Sequence, residues 1–370
     1  MENVFLIAAG GTGGHFYPGL ALGKELISRG RGVVFVIDRG SPAAKLLDSE
    51  DISYCTADFA PAPRGKNPFK WAAFAWKLFL SVLRMRRAVR DYKPLVCVGM
   101  GGYVSFPLIL AAHYMGVKTA LHDSNAKIGL ANRICAKWAD LFMLGLPTED
   151  KPPRAALTGT PVREAFRARE AQEEKNYWQF ATDFKINILV FGGSQGARNL
   201  NLAAAEMARG FLQKTRRLHF LHITGRRDYE EIKKLYNGAE DAEVIAYSED
   251  IHALMKAAHL VISRAGASSA AEIISLKKPS VLVPYPYASD NHQYYNAKVL
   301  ADRGCAALVE DGPDLAPRLG AAVKQLLSTP KALRAMADNF DKAALPDPLS
   351  AAARCADLVE KLASSRTRGN

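Results

Sequence analysis

A histidine stands directly behind four glycines in "GGTGGH", Gly10 to His15, and that pairing already limits the chemistry. Glycine has no Cβ, so the amides of such a run can approach a phosphate or a sugar closely. A helix that follows adds unpaired N–H groups and a partial positive charge. Imidazole titrates near neutral pH, which makes His15 a candidate general base for a hydroxyl nucleophile. A second run, "GGSQG" at 192–196, has the same make-up. A third segment, "SRAGASSAAE" from Ser263, follows the apolar "LVI"; its small residues suit a diphosphate, and Glu272 is placed to hold both hydroxyls of a ribose. A fourth, "DNHQYYN" from Asp290, sets Asn291, His292, Gln293 and Asn296 at another helix start, with Asp290 as N-cap and His292 and Gln293 as ligands for sugar hydroxyls. Each has an ordinary alternative, since glycines make tight turns, lone histidines are usually structural and helix glutamates are usually solvated.

These segments need a scaffold that puts them at one edge. Val4 to Ala9 reads as a buried strand, the glycines as a turn, and the next residues as a helix with Pro18 in its first turn that runs to about Arg29. "GVVFVID", "LVCVGMGGY" and "VKTALHDSN" continue the strand and helix alternation. The pattern restarts at "INILVFGGSQGARNLN", with later strands at "LHFLHITG", "AEVIAY", "LVISRAG" and "PSVLVPYP". Two doubly wound parallel sheets follow, with ligands beyond the carboxyl ends of their strands. "LTGTPVREAF", Leu157 to Phe166, separates the halves, so the expected domains are 1–162 and 163–350, with the helix 351–363 returning to the first and a cleft between them. A nicotinamide dinucleotide is a poor fit: Asp38 ends the second strand where a ribose acid would sit, but Phe16 occupies the third glycine position of GxGxxG. No D-x-D sequence occurs, so helix N-termini rather than a divalent metal are expected to meet a diphosphate; no metal and no cofactor are expected.

The chain has 370 residues and a net charge of +12, which favours an anionic partner: nucleic acid, phosphorylated ligands or an acidic membrane. Five widely spaced cysteines form no CxxC pair and point to a reducing compartment. "MENVFLIAAGG" lacks a basic leader, so a cytoplasmic protein is expected. "WAAFAWKLFLSVL", Trp71 to Leu83, falls short of the roughly twenty apolar residues that span a bilayer. Residues 64–93 hold nine Lys or Arg against the single acid Asp91 and interleave Phe69, Trp71, Phe74, Trp76 and Phe79. That mixture suits an anionic membrane surface, with part of the stretch serving as an ordinary helix against the core. Without a recognised nucleic-acid-binding motif, no nucleic-acid partner is expected.

The segments "GGTGGH", "VGMGGYVSFP", "HDSN", "GTPVR", "FGGSQGARNLN", "SRAGASSAAE" and "DNHQYYNA" occur in the order found in MurG-type N-acetylglucosaminyltransferases, and the resemblance covers nearly the whole chain. It implies a GT-B fold of two Rossmann-like domains. It further implies transfer of N-acetylglucosamine from UDP-N-acetylglucosamine to the undecaprenyl-linked acceptor lipid I, giving lipid II for peptidoglycan at the cytoplasmic face of the bacterial inner membrane, with cell-wall synthesis proteins as candidate partners. By the same resemblance Thr12, Gly13, Gly14 and Asn125 lie near the transferred sugar, while Gly11, Tyr103 and Ser105 serve the acceptor. Arg163, Ser194, Ser248, Gln293 and the segment Ala267, Ser268, Ser269, Ala270, Ala271 and Glu272 fall at donor-contacting positions.

The chain departs from the family pattern in three places. "HDSN" replaces the more usual HEQN, Ser248 stands where an apolar residue commonly offers its backbone to uracil, and "SSAAE" varies the middle of the ribose segment. The mechanism expected is direct displacement: an acceptor C4 hydroxyl attacks C1 of the donor sugar with inversion, His15 takes the proton, and main-chain amides at Ser194 and Gly266 to Ser269 receive the charge on departing UDP. Closure of the two halves would exclude water. Three rivals remain at the level of sequence: a glycosyltransferase acting on diacylglycerol, a UDP-N-acetylglucosamine 2-epimerase, and a non-enzymatic nucleotide-sugar binding subunit.

Overall fold

Strand β1 (Val4–Ala8) is buried along its whole length, Phe5 and Ile7 on one face and Val4, Leu6 and Ala8 on the other. A strand covered on both faces is the mark of a parallel sheet wrapped by helices. The computed structural model describes residues 3–10, 13–63, 65–150, 152–166, 185–193 and 196–365. The chain separates into two compact units, Met1–Glu164 with Pro346–Asn370, and Ala165–Leu345.

The first unit adds β2 (Gly32–Asp38), β3 (Tyr54–Ala57), β4 (Val96–Gly99), β5 (Lys118–Asp123), β6 (Leu141–Leu144) and β7 (Ala155–Leu157). They form one parallel sheet in the order β3-β2-β1-β4-β5-β6-β7. Its helices are α1 (Gly13–Ser28), α2 (Ala43–Ser49), α3 (Pro68–Tyr92), α4 (Gly102–Tyr114) and α5 (Leu130–Cys135). The second unit has β8 (Ile186–Phe191), β9 (Leu218–Ile223), β10 (Ala242–Ile245), β11 (Leu260–Ser263), β12 (Ser280–Leu282) and β13 (Ala307–Leu308), parallel in the order β10-β9-β8-β11-β12-β13. Around it lie α6 (Arg198–Leu212), α7 (Tyr229–Leu235), α8 (Ile251–Ala257), α9 (Ala267–Leu276), α10 (His292–Ala301), α11 (Leu315–Leu327) and α12 (Pro330–Lys342). The fold is the doubly wound α/β architecture that the strand pattern predicts, built twice.

Strand order reverses between β1 and β4 in one sheet and between β8 and β11 in the other. Loops leaving neighbouring strands diverge at such a switch point and open a crevice beyond the carboxyl edge. The glycine segments that follow β1, β4, β8 and β11 therefore lie at the two places where these sheets can accept a ligand.

The last helix, α13 (Ala351–Ser364), packs Cys355, Ala356 and Val359 into the same core as Phe5, Leu22 and Leu26. Arg29, just beyond α1, reaches its Asp357 at 2.7 Å and its Glu360 at 2.8 Å. Arg29, aided by Arg31, holds the Glu360 carboxyl below the usual carboxylate range.

Helix α3 divides into two parts. Its buried residues, Ser81, Met85, Ala88 and Val89, form a stripe at helical spacing in the second half. None of the residues from Pro68 to Leu80 is buried, and Phe69 is 83% exposed, Trp76 62% and Phe79 51%. Asn67 caps this projecting end by accepting from the Phe69 and Lys70 N–H groups. Among the described residues, no helix is long and apolar enough to cross a membrane.

Candidate active site

In the first unit the chemistry gathers on His15. The ring lies in the first turn of α1, because the glycine amides are already wound into a helix that begins at Gly13. The same early start moves Pro18 from the expected first turn into the second, where its missing N–H leaves the Gly14 carbonyl without the usual donor. Gly11 and Thr12 lie outside the described residues.

His15 Nδ1 is 3.1 Å from the Met100 carbonyl. A carbonyl can only accept, so Nδ1 carries the proton and, in the neutral ring, Nε2 is the basic nitrogen. The ring rests on Gly101 and Gly102, whose φ values are 100° and 73°. A Cβ on Gly101 would fall 2.9 Å from His15 Cε1 and Nδ1, and one on Gly102 would fall 3.2 Å from Cδ2. Ser105 holds this turn, its hydroxyl donating to the Gly101 carbonyl at 2.8 Å and accepting the Gly101 N–H at 3.0 Å. At 1% exposure its side chain is turned inward and shapes the loop. Tyr103 donates to Asp38 Oδ2 at 3.1 Å, and Asp38 Oδ1 accepts the Phe59 N–H at 3.1 Å. Both oxygens of the acid that a dinucleotide would have used are thus engaged by the chain itself. Burial, then the Asp38 carboxylate, push the Tyr103 pKa up, which keeps this hydroxyl a donor.

Strand β5 delivers the "HDSN" segment. Asp123 is buried and accepts from Asn125 N at 3.0 Å, Asn125 Nδ2 at 3.2 Å, Gly129 N at 2.9 Å and Asn132 Nδ2 at 3.1 Å. Because Asn125 turns its amide nitrogen to that carboxylate, its side-chain carbonyl is directed away from it. Asp150 secures the same loop through Lys127 at 3.0 Å and the Ile128 N–H at 3.2 Å. His122 is fully buried and donates from Nε2 to the Gly159 carbonyl at 3.0 Å, joining this loop to "GTPVR". Burial lowers the His122 pKa, against the opposing pull of the Gly159 bond and the Asp123 carboxylate. Arg163 stacks on the Tyr17 ring at 5.2 Å.

In the second unit Ser194 lies outside the described residues, but its flanks are defined. A Cβ on Gly192 would strike Ala197 N at 2.6 Å, and one on Gly196 would strike the Thr224 carbonyl at 2.4 Å. Gly193, at φ 88°, has nothing within 4 Å of a Cβ position. The "GGSQG" loop is thus tight at both ends and open at Gly193. Gly266 caps α9 with no side-chain bond, and the Ser268 hydroxyl in the first turn is enclosed without a hydrogen-bond partner. An unpaired hydroxyl and unpaired amides at one helix start are what an incoming phosphate would satisfy. Ser269 shares that first turn, Ala270 and Ala271 are buried beneath it, and Glu272 is partly exposed in the second turn.

Arg264, just before this turn, is buried. It donates to the Val283 and Pro284 carbonyls, each at 3.1 Å, and to Asp311 at 2.7 Å. Asn296 Nδ2 holds the Ala265 carbonyl at 3.0 Å. The loop after β12 is secured by Gln293, whose Oε1 accepts the Tyr285 N–H at 3.0 Å. His292 donates from Nδ1 to the Ser289 carbonyl at 2.8 Å. Asp290 is not the N-cap: it and Asn291 both adopt φ 52°, and Asn291 takes the cap position without a side-chain cap bond. Two consecutive left-handed residues turn the chain into α10 here, a conformation that Asp and Asn tolerate better than most. Ser248 accepts the Asp250 N–H at 3.1 Å, which starts α8. Among the described residues, no group of three His, Cys, Asp or Glu side chains could hold a metal ion.

Residues 5–143 match the glycosyltransferase family 28 N-terminal domain, and residues 187–351 match the glycosyltransferase family 28 C-terminal domain. The chain is 43% identical over 358 residues to the UDP-N-acetylglucosamine–N-acetylmuramyl-(pentapeptide) pyrophosphoryl-undecaprenol N-acetylglucosamine transferase of Elusimicrobium minutum, covering 97% of this chain and 99% of the relative. The chain belongs to the MurG family. A crystal structure of Acinetobacter baumannii MurG is similar at a TM-score of 0.79 and 28% identity over 97% of this chain and 99% of its own. Fold similarity alone reaches beyond the MurG family: a UDP-GlcNAc 2-epimerase from Neisseria meningitidis gives a TM-score of 0.65 over 97% of this chain and 100% of its own, at 13% identity.

Several residues that organise this MurG-family site carry no local signal in the sequence. Asp311 meets Arg264 across 47 positions of chain, and Met100 contributes only a carbonyl. Asp123 could have been singled out, because an acid at the end of an apolar strand needs donors to be buried.

Proposed function

We propose that the chain transfers N-acetylglucosamine from UDP-N-acetylglucosamine to the C4 hydroxyl of undecaprenyl-diphospho-N-acetylmuramoyl-pentapeptide, with inversion at C1, as the step from lipid I to lipid II in peptidoglycan synthesis. The first unit serves the acceptor and the membrane; the second serves the donor. His15 is the base. The observation that carries this assignment is the Nδ1–H to Met100 bond, which leaves Nε2 as the nitrogen able to take the acceptor's proton. Asn125, Gly13 and Gly14 border the transferred sugar, with Thr12 between β1 and α1. Gly11, Tyr103 and Ser105 belong to the acceptor-side loops, Ser105 through the shape it imposes.

As the acceptor oxygen bonds to C1, the bond from C1 to the diphosphate breaks and its electron pair leaves with UDP. The amides around Ser194 and at Gly266 to Ser269, with the Ser268 hydroxyl and the positive end of α9, take up that charge. Glu272 binds the ribose, Ser248 offers its main chain to uracil, and Arg163, His292 and Gln293 complete the donor contacts. The open space at Gly193 supports a ligand passing close to that loop.

The protein acts as a peripheral enzyme on the cytoplasmic face of the inner membrane. The projecting half of α3 supports this, since its exposed aromatics alternate with Lys70 and Lys77 and lead into Arg84, Arg86, Arg87 and Arg90. Each aromatic buried in the interface contributes roughly 1.5–3 kcal/mol, and each basic residue near anionic lipid about 1 kcal/mol.

Radiolabelled UDP-N-acetylglucosamine supplied with lipid I, and separately with diacylglycerol, tests the reading. Label should pass to lipid I alone, and His15→Ala should lower turnover by roughly two orders of magnitude with donor binding retained. Transfer only to diacylglycerol, or epimerisation of free donor without transfer, would refute it.

A further inference from the structure

Behind the glycine loop of the second unit runs a chain of buried polar groups to which the reaction above assigns no part. His222 near the end of β9 and Asn201 on α6 are fully buried, and Tyr236 just beyond α7 is nearly so. Asn201 Nδ2 lies 2.8 Å from the Thr224 carbonyl and 2.9 Å from Asp228 Oδ2. Both partners accept, so the amide nitrogen must face them and Oδ1 must face His222 Nε2, 3.2 Å away. Nε2 therefore carries the proton, and Nδ1 accepts from the Tyr236 hydroxyl at 3.1 Å. Burial pushes the His222 pKa down to about 3 and that of Tyr236 up, so both stay neutral. Each group is thereby used in one direction only.

The chain of bonds ends on the donor loop. The Thr224 carbonyl that Asn201 holds is the atom a Cβ on Gly196 would meet at 2.4 Å, so the returning limb of "GGSQG" rests directly on it. We propose that His222, acting through Asn201 and backed by Tyr236, is a positioning residue for the donor: it sets the Thr224 carbonyl, and with it the height at which the Gly196 end of the loop meets the diphosphate of the UDP-sugar. This inference rests on the donor role given above to the second unit.

Calorimetric titration of the full chain with UDP, alongside steady-state kinetics, tests it. His222→Gln places a donor toward Asn201 and an acceptor toward Tyr236 on one amide; His222→Leu fills the volume and removes both. The glutamine variant should bind UDP within about threefold of the native chain, and the leucine variant about tenfold or more weakly. In the leucine variant the KM for UDP-N-acetylglucosamine should rise in parallel while the acceptor KM stays unchanged. A side chain that merely fills the core would give the opposite order, because a dry site suits leucine better than an amide. UDP binding by His222→Leu as tight as native, or an acceptor KM that rises as much as the donor KM, overturns the inference. Should that variant not fold, Tyr236→Phe removes a single hydroxyl and should weaken UDP by about threefold; native affinity there also overturns it. A native chain that takes up no UDP refutes the donor assignment itself and the inference with it, a separate outcome from a loss confined to the variants.

Discussion

Gly101→Ala probes the placement of the base without touching it. At φ 100° and ψ 177° Gly101 occupies a backbone region that is essentially closed to other residues, so an alanine there costs of order 1–3 kcal/mol before any contact is counted. Its Cβ would also lie 2.9 Å from His15 Cε1 and Nδ1, where unstrained contact begins at roughly 3.5 Å, so the ring must retreat by roughly 0.6 Å. The bond from Nδ1 to Met100 is already 3.1 Å long and breaks on such a shift. A misplacement of that size lowers kcat by roughly tenfold to a hundredfold. The assay has three parts: turnover with lipid I, UDP affinity by calorimetry, and urea unfolding. Turnover should fall as stated, stability should drop by about 2–4 kcal/mol, and UDP affinity should hold, because Gly101 and the donor loops belong to different units. If stability falls while kcat stays within about twofold of native, the glycine wall does not place the imidazole and the argument for His15 fails with it.

Acid should destabilise the chain earlier than its carboxylates alone would. His222 is held neutral with a folded pKa of about 3, below its unfolded value, so its contribution is fully present above about pH 6.5 and is lost as pH falls toward 3. Unfolding free energy should be about 2 kcal/mol lower at pH 5 than at pH 7 on its account; His122 and His259, also lowered by burial, act in the same direction. Urea titrations of His222→Gln at the two pH values should show a flatter dependence, and an unchanged slope would contradict the assignment. Replacing Trp76 and Phe79 together by Glu should reduce binding to anionic vesicles in flotation by more than about tenfold. Thermal stability should be unchanged, because both rings project from the protein. Retained flotation would place the membrane contact elsewhere.

Much of the scaffold was legible because period and burial leave marks in residue type. Strands buried on both faces read as continuous apolar runs, and the glycines that follow them mark where the chain turns at the carboxyl edge. Elements defined by single bonds were less accessible. Asp290 was expected to cap α10 from its type and place, yet two left-handed residues made the turn and moved the cap to Asn291. Pro18 suggested a helix start that the glycines had already passed. Propensity states what a residue tolerates, whereas the boundary is set by where neighbouring amides find acceptors.

The order of residues alone determined that two nucleotide-fold units follow one another, that each carries a glycine loop at a ligand-accepting edge, and that the motifs are those of the MurG family. These are local properties of spacing and side-chain type. Tertiary structure decided which nitrogen of His15 is basic, because the Met100 carbonyl that fixes its tautomer arrives from 85 residues away. It likewise decided that Asp123 gathers four N–H donors and that Arg264 finds Asp311. Hydrogen-bond partners distant in the chain are chosen by the packing of whole elements, and no short stretch of sequence records which carbonyl a given ring will face.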